Sequence, residues 1–285
     1  MYSLSVISDE VSQDLRVATD FALRHNLDGL EIRSVNDRGP FEFTNVDIKD
    51  ILSVTKETGL KIPSLALPLY KCNLVDPHTR ASHRESLKRS LELAALVSCK
   101  IVRGFTFWKE GVEMPISEIV GAYYEILPII EDAGVCVVLE TEPSVYTGTA
   151  AQLRRVLQAI NHSQIQAVWD GANLLYDLDG EQPVEGYDIL RPWIRHVHMK
   201  DAVRTPNGPQ ARSIGKGSSD IPKQLSKLAQ DQYSGWISLE THYRKTIMDE
   251  EVMKRPAGSK FTDGGLEASE ESIVALKTML DEAWR

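Results

Sequence analysis

Four residues of this 285-residue chain end or lie near the end of short apolar runs with a side chain that can bind a metal. Glu140 closes Val137-Val138-Leu139-Glu140, Asp170 closes Ala167-Val168-Trp169-Asp170, and Glu240 closes Ile237-Ser238-Leu239-Glu240. His198 lies in His196-Val197-His198-Met199-Lys200-Asp201, where the two-residue period of a strand puts His196, His198 and Lys200 on one face. Taken singly, a carboxylate at a strand end is most often an N-cap for the next helix or a solvated loop residue. At equivalent positions the set reads differently. Three carboxylates and an imidazole converging without a cation would repel and be costly to bury, whereas a divalent ion makes the same cluster a bound state. One divalent metal ion is therefore expected. An oxygen-rich set with one imidazole suits Mn²⁺ best and also admits Mg²⁺, Co²⁺ or Zn²⁺; with no cysteine in it, soft-metal chemistry is disfavoured.

Such a site needs a scaffold that brings several strand ends to one place. Strand-like runs alternate with helix-like ones along the whole chain. Expected strands are Leu4–Ser8, Leu27–Arg33, Lys61–Leu67, Lys100–Phe107, Val135–Glu140, Gln166–Asp170, Ile194–His198 and Trp236–Glu240. The helices between them are expected over Asp14–His25, Asp47–Thr58 with Gly59 as C-cap, Ser82–Val97, and Ser117–Asp132 with a kink at Pro128. Thr149–Ile160, N-capped by Thr149, a weak Glu185–Trp193, Ile221–Gln230 and Ser269–Ala283 complete the set. Leu69–Pro77, the Gly- and Pro-rich Val203–Gly217 and Tyr243–Glu267 read as long loops that shape specificity. The fold class expected is α/β, a single (β/α)8 TIM barrel, with residues 1–285 forming one domain. An open doubly wound sheet is the structural runner-up, and it lacks a Gly-x-Gly-x-x-Gly turn after the first strand. In a barrel, the C-terminal strand ends form the active face, so Glu140, Asp170, His198 and Glu240 would share one mouth.

Composition is that of an ordinary soluble protein, 42% hydrophobic and 26% charged. No apolar run nears the ~20 residues that cross a bilayer, and the opening residues lack a signal peptide's basic flank and apolar core. The net charge of −9 gives no general attraction to nucleic acid. Cys72, Cys99 and Cys136 are odd in number and widely spaced, which argues against a disulfide framework and suits a reducing cytoplasm. The partner expected is a small molecule, with no nucleic acid and no membrane, and a homo-oligomer is left open.

The chain resembles the xylose-isomerase-like barrels, the sugar isomerases and epimerases, inosose and dehydroshikimate dehydratases and endonuclease IV. Leu139-Glu140, Trp169-Asp170-Gly171-Ala172-Asn173, His196 through Asp201, Gly215-Lys216-Gly217 and Gly235 through Glu240 carry the resemblance most specifically. Ile7-Ser8-Asp9-Glu10 and Leu30-Glu31-Ile32-Arg33 extend it to the start. It implies Glu140, Asp170, His198 and Glu240 as metal ligands. The family's ligand is the histidine three before the aspartate, which selects His198 over His196. Asn173 stands where some epimerases and endonuclease IV carry histidine, so their substrate contacts do not transfer directly.

Glu140 and Glu240, on strands five and eight, can flank a substrate and act as the catalytic pair, one removing a proton next to a carbonyl and the other returning it. Coordination of the carbonyl and an adjacent hydroxyl acidifies the C–H between them and stabilises an enediolate. The reading is a metal-dependent isomerase or epimerase of a small sugar or keto-polyol, with or without a phosphate. A dehydratase on the same scaffold is the alternative. An endonuclease IV-like nuclease is remote, because strands three and four and Ala202–Gly217 lack the histidines of its three-metal cluster. A non-catalytic barrel that binds a sugar or a partner protein is also weighed. Further candidates for substrate binding are Asn173, His196, Lys200, Glu142, Arg33, Arg103 and His242. Arg33 and Arg103 would hold a carboxylate or phosphate, with a structural role the competing reading. Trp108 and Tyr70 are candidates for an apolar wall against a sugar ring.

Overall fold

The computed structural model describes residues 2–111, 113–245 and 258–285. They fall into two compact units, residues 1–63 with 197–285, and residues 64–196. In the first unit β1 (Ser3–Ile7) pairs in parallel with β2 (Gly29–Glu31), with Val6 opposite Leu30. On its other side β1 pairs with the last strand, Trp236–Leu239, with Leu4 opposite Ile237. That strand in turn pairs with Val197–Met199, with Ser238 opposite His198. The second unit holds β3 (Leu65–Leu69), β4 (Ile101–Gly104), β5 (Cys136–Leu139) and β6 (Ile165–Trp169), each parallel to the next. β7 runs from Ile194 to Met199, so its first half lies in the second unit and its second half in the first.

These strands read as nearly continuous apolar runs because parallel strands are covered on both faces. Val6, Leu30, Ile237 and Leu239 are fully buried in the first unit, and Val102, Val137, Leu139 and Trp169 in the second. Gly29 is required by packing: a Cβ there would lie 2.5 Å from the Lys61 carbonyl oxygen.

Helix ends follow local chemistry. Thr44 and Asp47 form a capping box at the start of Asn45–Thr58, and Gly59 closes that helix at φ 77°. Thr149 caps Ala150–Ile160, as expected, with Gln152 completing the reciprocal bond. Three expectations are corrected. The helix expected from Ser82 begins at Pro77, because Asp76 accepts from the N–H groups of His78 and Thr79 and Pro77 fits the first helical position. The stretch around Pro128 forms two helices, Ile116–Tyr124 and Leu127–Ala133, rather than one kinked helix. Within the loop expected over Val203–Gly217, β8 (Asp201–Thr205) and β9 (Gly208–Arg212) form an antiparallel hairpin. Pro206 and Asn207 make its turn, and Gly208, the first residue of β9 and opposite Thr205, takes φ 100°. The last strand, Trp236–Leu239, is β10. The loop expected over Tyr243–Glu267 lies partly outside the described residues, and its described end carries a helix, Gly258–Thr262. Among the described residues no helix is long and apolar enough to cross a membrane.

Candidate active site

In the first unit the ends of β1, β2, β7 and β10 carry Asp9, Glu10, Glu31, Arg33, His198, Lys200, Glu240 and His242, all buried. His198 is held from both sides. Its Nε2 lies 3.1 Å from Glu31 Oε1, and its Nδ1 lies 3.4 Å from Glu240 Oε2. A carboxylate thus stands at each ring nitrogen, and with the imidazole proton given to Glu31 on Nε2 the Nδ1 lone pair faces Glu240. Two acceptor atoms then face one another, an arrangement suited to sharing a cation. Lys200 Nζ donates to the same Glu240 Oε2 at 3.2 Å.

The other oxygen of Glu240 belongs to Arg33. Nη1 of Arg33 donates to Glu240 Oε1 at 2.7 Å, Nη2 to Glu10 Oε1 at 2.7 Å, and Nε to Asp9 Oδ1 at 2.9 Å. Burial works against the guanidinium charge, and the three carboxylates override it, raising the Arg33 pKa further. Glu10 gathers donors too, the backbone N–H of His242 at 2.9 Å and Arg244 Nη1 at 3.3 Å, and its Oε1 lies 2.8 Å from His242 Nδ1. Burial pushes Glu10 and Glu240 toward the neutral acid. For Glu10 the neighbouring His242 and the guanidinium charges of Arg33 and Arg244 win, and for Glu240 the Lys200 ammonium does, with His242 beside it. Both carboxyls are held below the usual range. Glu10, Glu240 and His242 also place ligand atoms within 4.8 Å of one another. Arg33 reaches both of those acids, Lys200 pairs with Glu240 and Arg244 with Glu10, so this second grouping reads as an ion-pair network.

In the second unit Glu140 and Asp170 follow the ends of β5 and β6, where Leu139 sits opposite Ala167. Asn173 Nδ2 donates to Glu140 Oε1 at 3.1 Å, and Arg103 Nη1 to Glu140 Oε2 at 3.1 Å. Arg103 also reaches the carbonyls of Ala66 at 3.3 Å and Leu67 at 3.4 Å. Asp170 Oδ1 accepts from the N–H groups of Ala172 and Asn173, shaping the turn that presents Asn173. His196 is fully buried. Glu142 pairs with Lys71, Nζ to Oε2 3.4 Å, while Tyr70 lies in the packed interior against Phe107 and Tyr123.

Thus the structure brings Arg33, His198, Lys200, Glu240 and His242 together in one unit, and Arg103, Glu140, Asp170 and Asn173 in the other. Glu10, Glu31, Lys71 and Arg244 were not singled out from the sequence. For Glu10 and Glu31 a signal existed, since each stands at or just after a strand end like the four candidates. Asp201 has a structural explanation. Its carboxylate accepts from the N–H groups of Ala202, Gly215, Gly217 and Ser219 at 2.9, 2.9, 2.9 and 3.1 Å, which pins the Gly215-Lys216-Gly217 segment against the foot of the hairpin.

Residues 19–262 match the sequence profile of the xylose isomerase-like TIM barrel family. Among curated proteins, an uncharacterized protein of Escherichia coli (strain K12), YihM, is 23% identical over 71% of this chain, and the match spans only 58% of YihM. A 3-dehydroshikimate dehydratase of Bacillus anthracis is 23% identical over 70% of this chain and 71% of its own length. Among solved structures, a D-tagatose 3-epimerase-like protein superposes with a TM-score of 0.74 at 20% identity, covering 99% of this chain and 98% of that one. IolI protein, solved with a zinc atom, gives 0.73 at 18% identity over 99% and 98%. At such identities the structural likeness shows the fold, an eight-stranded α/β barrel.

Proposed function

Because this chain belongs to the xylose isomerase-like TIM barrel family, we propose that it is a divalent-metal-dependent isomerase or epimerase of a small sugar or keto-polyol, working as one barrel domain in the cytoplasm. Glu140, Asp170, His198 and Glu240 would hold the ion. The observation that carries this reading is the buried pair His198 and Glu240, whose Nδ1 and Oε2 face each other at 3.4 Å with Glu31 at the opposite ring nitrogen, 3.1 Å from Nε2. Three carboxylates and one imidazole suit Mn²⁺, and the zinc in IolI protein shows that a barrel of this fold accepts a divalent ion.

The ion, when bound, would polarise a substrate carbonyl and its neighbouring hydroxyl, making the C–H between them acidic. The chain's residues would do the rest. Glu140 and Glu240 would exchange the proton on opposite sides of the substrate, each held by hydrogen bonds that fix its direction: Arg103 and Asn173 on Glu140, Arg33 and Lys200 on Glu240. Lys200 would also steady charge developing on the substrate oxygen. Return of the proton to the opposite face gives an epimer, and return to the adjacent carbon gives an isomer. The test is proton exchange: Mn²⁺-loaded protein incubated with D-ketohexoses in D₂O should place deuterium next to the carbonyl, observable by NMR. No exchange with any ketohexose or keto-inositol would overturn the proposal.

A second reading, loss of a β-hydroxyl as water after the same proton abstraction, is favoured by the match to the dehydroshikimate dehydratase. Product mass distinguishes the two, because only the dehydratase product is lighter by one water.

A further inference from the structure

Lys71 follows a costly turn. β3 ends at Leu69, and Tyr70 adopts φ 59°, a left-handed conformation unfavourable for a bulky side chain. Its surroundings hold it there. The Tyr70 N–H donates to His83 Nδ1 at 2.9 Å, its hydroxyl donates to the Ala122 carbonyl at 3.0 Å, and its ring stacks on Phe107 at 4.6 Å. Phe107, beyond the end of β4, is also left-handed, at φ 67°.

Backbone bonds from Phe107 N to Tyr70 O at 3.0 Å, Trp108 N to Cys72 O at 2.9 Å and Lys109 N to Ser144 O at 2.8 Å then join the segments after β3, β4 and β5 into one wall. Into that wall the strained turn aims a single ammonium group. Lys71 Nζ lies 4.8 Å from the Phe105 ring centroid, 5.4 Å from that of Trp108 and 3.4 Å from Glu142 Oε2. Glu142 is fixed in turn, since Oε1 accepts from the Ser144 N–H at 3.3 Å and Oε2 from the Ser144 hydroxyl. The side chains of Lys71 and Glu142 are 16% and 22% exposed, mostly covered yet reachable by a solute.

We propose that Lys71 and Glu142 form a donor–acceptor clasp for neighbouring hydroxyls on the uncharged end of a polyol substrate, with the Trp108 face covering its C–H side. The proposal rests on the reading of this protein as acting on a small sugar or keto-polyol. Its chemistry follows from the two groups. An ammonium only donates and a carboxylate only accepts, whereas a hydroxyl does both, so adjacent hydroxyls satisfy the pair without displacing either charge. A phosphate or carboxylate on the substrate would instead meet Glu142 at like charge. The two cations of this wall are already matched, Lys71 by Glu142 and Arg103 by Glu140. The clasp therefore selects a free polyol over its phosphate ester.

Ligand-observed NMR titration of the full chain tests this, using the D-ketohexoses, dihydroxyacetone, which lacks the remote hydroxyls, and D-fructose and D-tagatose 6-phosphates. Wild-type protein should bind at least one free ketohexose about tenfold more tightly than the 6-phosphates. Lys71→Met and Glu142→Gln should each weaken that binding about tenfold and leave dihydroxyacetone binding unchanged. If Lys71→Met does not fold, Lys71→Gln, which keeps polarity and length, serves in its place. Ketohexose binding unchanged in the variants, an equal loss for dihydroxyacetone, preference for a 6-phosphate or no ketohexose binding at all would each overturn the clasp. Proton exchange separates the two proposals. Exchange that persists with unaltered ketohexose affinity in Lys71→Met sinks the clasp alone, and lost affinity without exchange in the wild type sinks the proposed reaction alone.

Discussion

Arg33 Nη1 and Glu240 Oε1 are 2.7 Å apart, with both side chains almost wholly buried. The same guanidinium serves Asp9 and Glu10, so one cation joins three acids that follow β1 and β10. With Oε1 held by Arg33, Glu240 turns Oε2 toward His198 and Lys200. Arg33 is thus placed to position Glu240, and a substrate anion would have to compete with three carboxylates for it.

Arg33→Met would leave those carboxylates buried without their cation. Breaking a buried ion pair by removing one partner costs about 3–5 kcal/mol, so urea unfolding should show a loss of at least that size. Arg33→Lys keeps the charge and cannot reach three acids in a fixed fork, so it should recover part of the stability. Equal stability of Arg33→Met and wild type would show that the network is not what holds these acids.

Asp47 supplies a pH dependence. Hydrogen bonds from Arg38 lower its pKa most, burial opposes, and Asn36 and Thr44 add to the lowering. A carboxyl whose folded pKa lies below its unfolded value of about 3.9 contributes stability that is complete above that value and fades as pH falls. Asp47→Asn should cost about 1 kcal/mol at pH 7 through the lost charge of the Arg38 pair, and the gap to wild type should narrow below about pH 4. Denaturation at pH 7 and pH 3 checks this; a gap that widens in acid would contradict it.

The barrel was legible because its strands are short apolar runs separated by capped helices, and Thr149 and Gly59 act at the helix ends as their residue types suggest. Glu140, Asp170, His198 and Glu240 stand out as candidates because each lies at or within a residue of a strand end. Lys71 does not. Its position depends on Tyr70 adopting a left-handed turn that aromatic side chains ordinarily avoid, enforced by His83 and Phe107 from elsewhere in the chain. Arg33 was visible as a residue and ambiguous in role, since only the fold shows that Asp9, Glu10 and Glu240 surround it. The β8–β9 hairpin looks like loop in the sequence because its strands are polar and half exposed, without the alternation that marks a strand against a core.

Gly217 is required by Asp201. A Cβ at Gly217 would lie 2.2 Å from Asp201 Oδ1 and 2.5 Å from the Ala202 carbonyl oxygen, neither of which can withdraw without breaking the amide cradle. Gly217→Ala should release the segment after the hairpin and speed limited proteolysis between Val203 and Gly217. Cleavage at the wild-type rate would mean that the cradle does not anchor it.

Glu140→Gln and Glu240→Gln should separate metal binding from proton transfer. Each variant keeps an oxygen that can ligate and loses the basic carboxylate, so metal content by plasma mass spectrometry should fall from near one equivalent by less than it would on substitution with Ala. Solvent exchange should fall further, about 10²–10⁴-fold, the usual contribution of a positioned acid or base. Chelation of wild-type protein should abolish exchange, and Mn²⁺ should restore it. The two variants are expected to differ with substrate stereochemistry, because each carboxylate would serve one face: the variant lacking the base for a given epimer stops exchange from that epimer first. If both lose exchange equally from both epimers, a single base serves both faces and the two-carboxylate scheme fails. If metal loss alone accounts for the lost exchange, the carboxylates are ligands without a proton-transfer role.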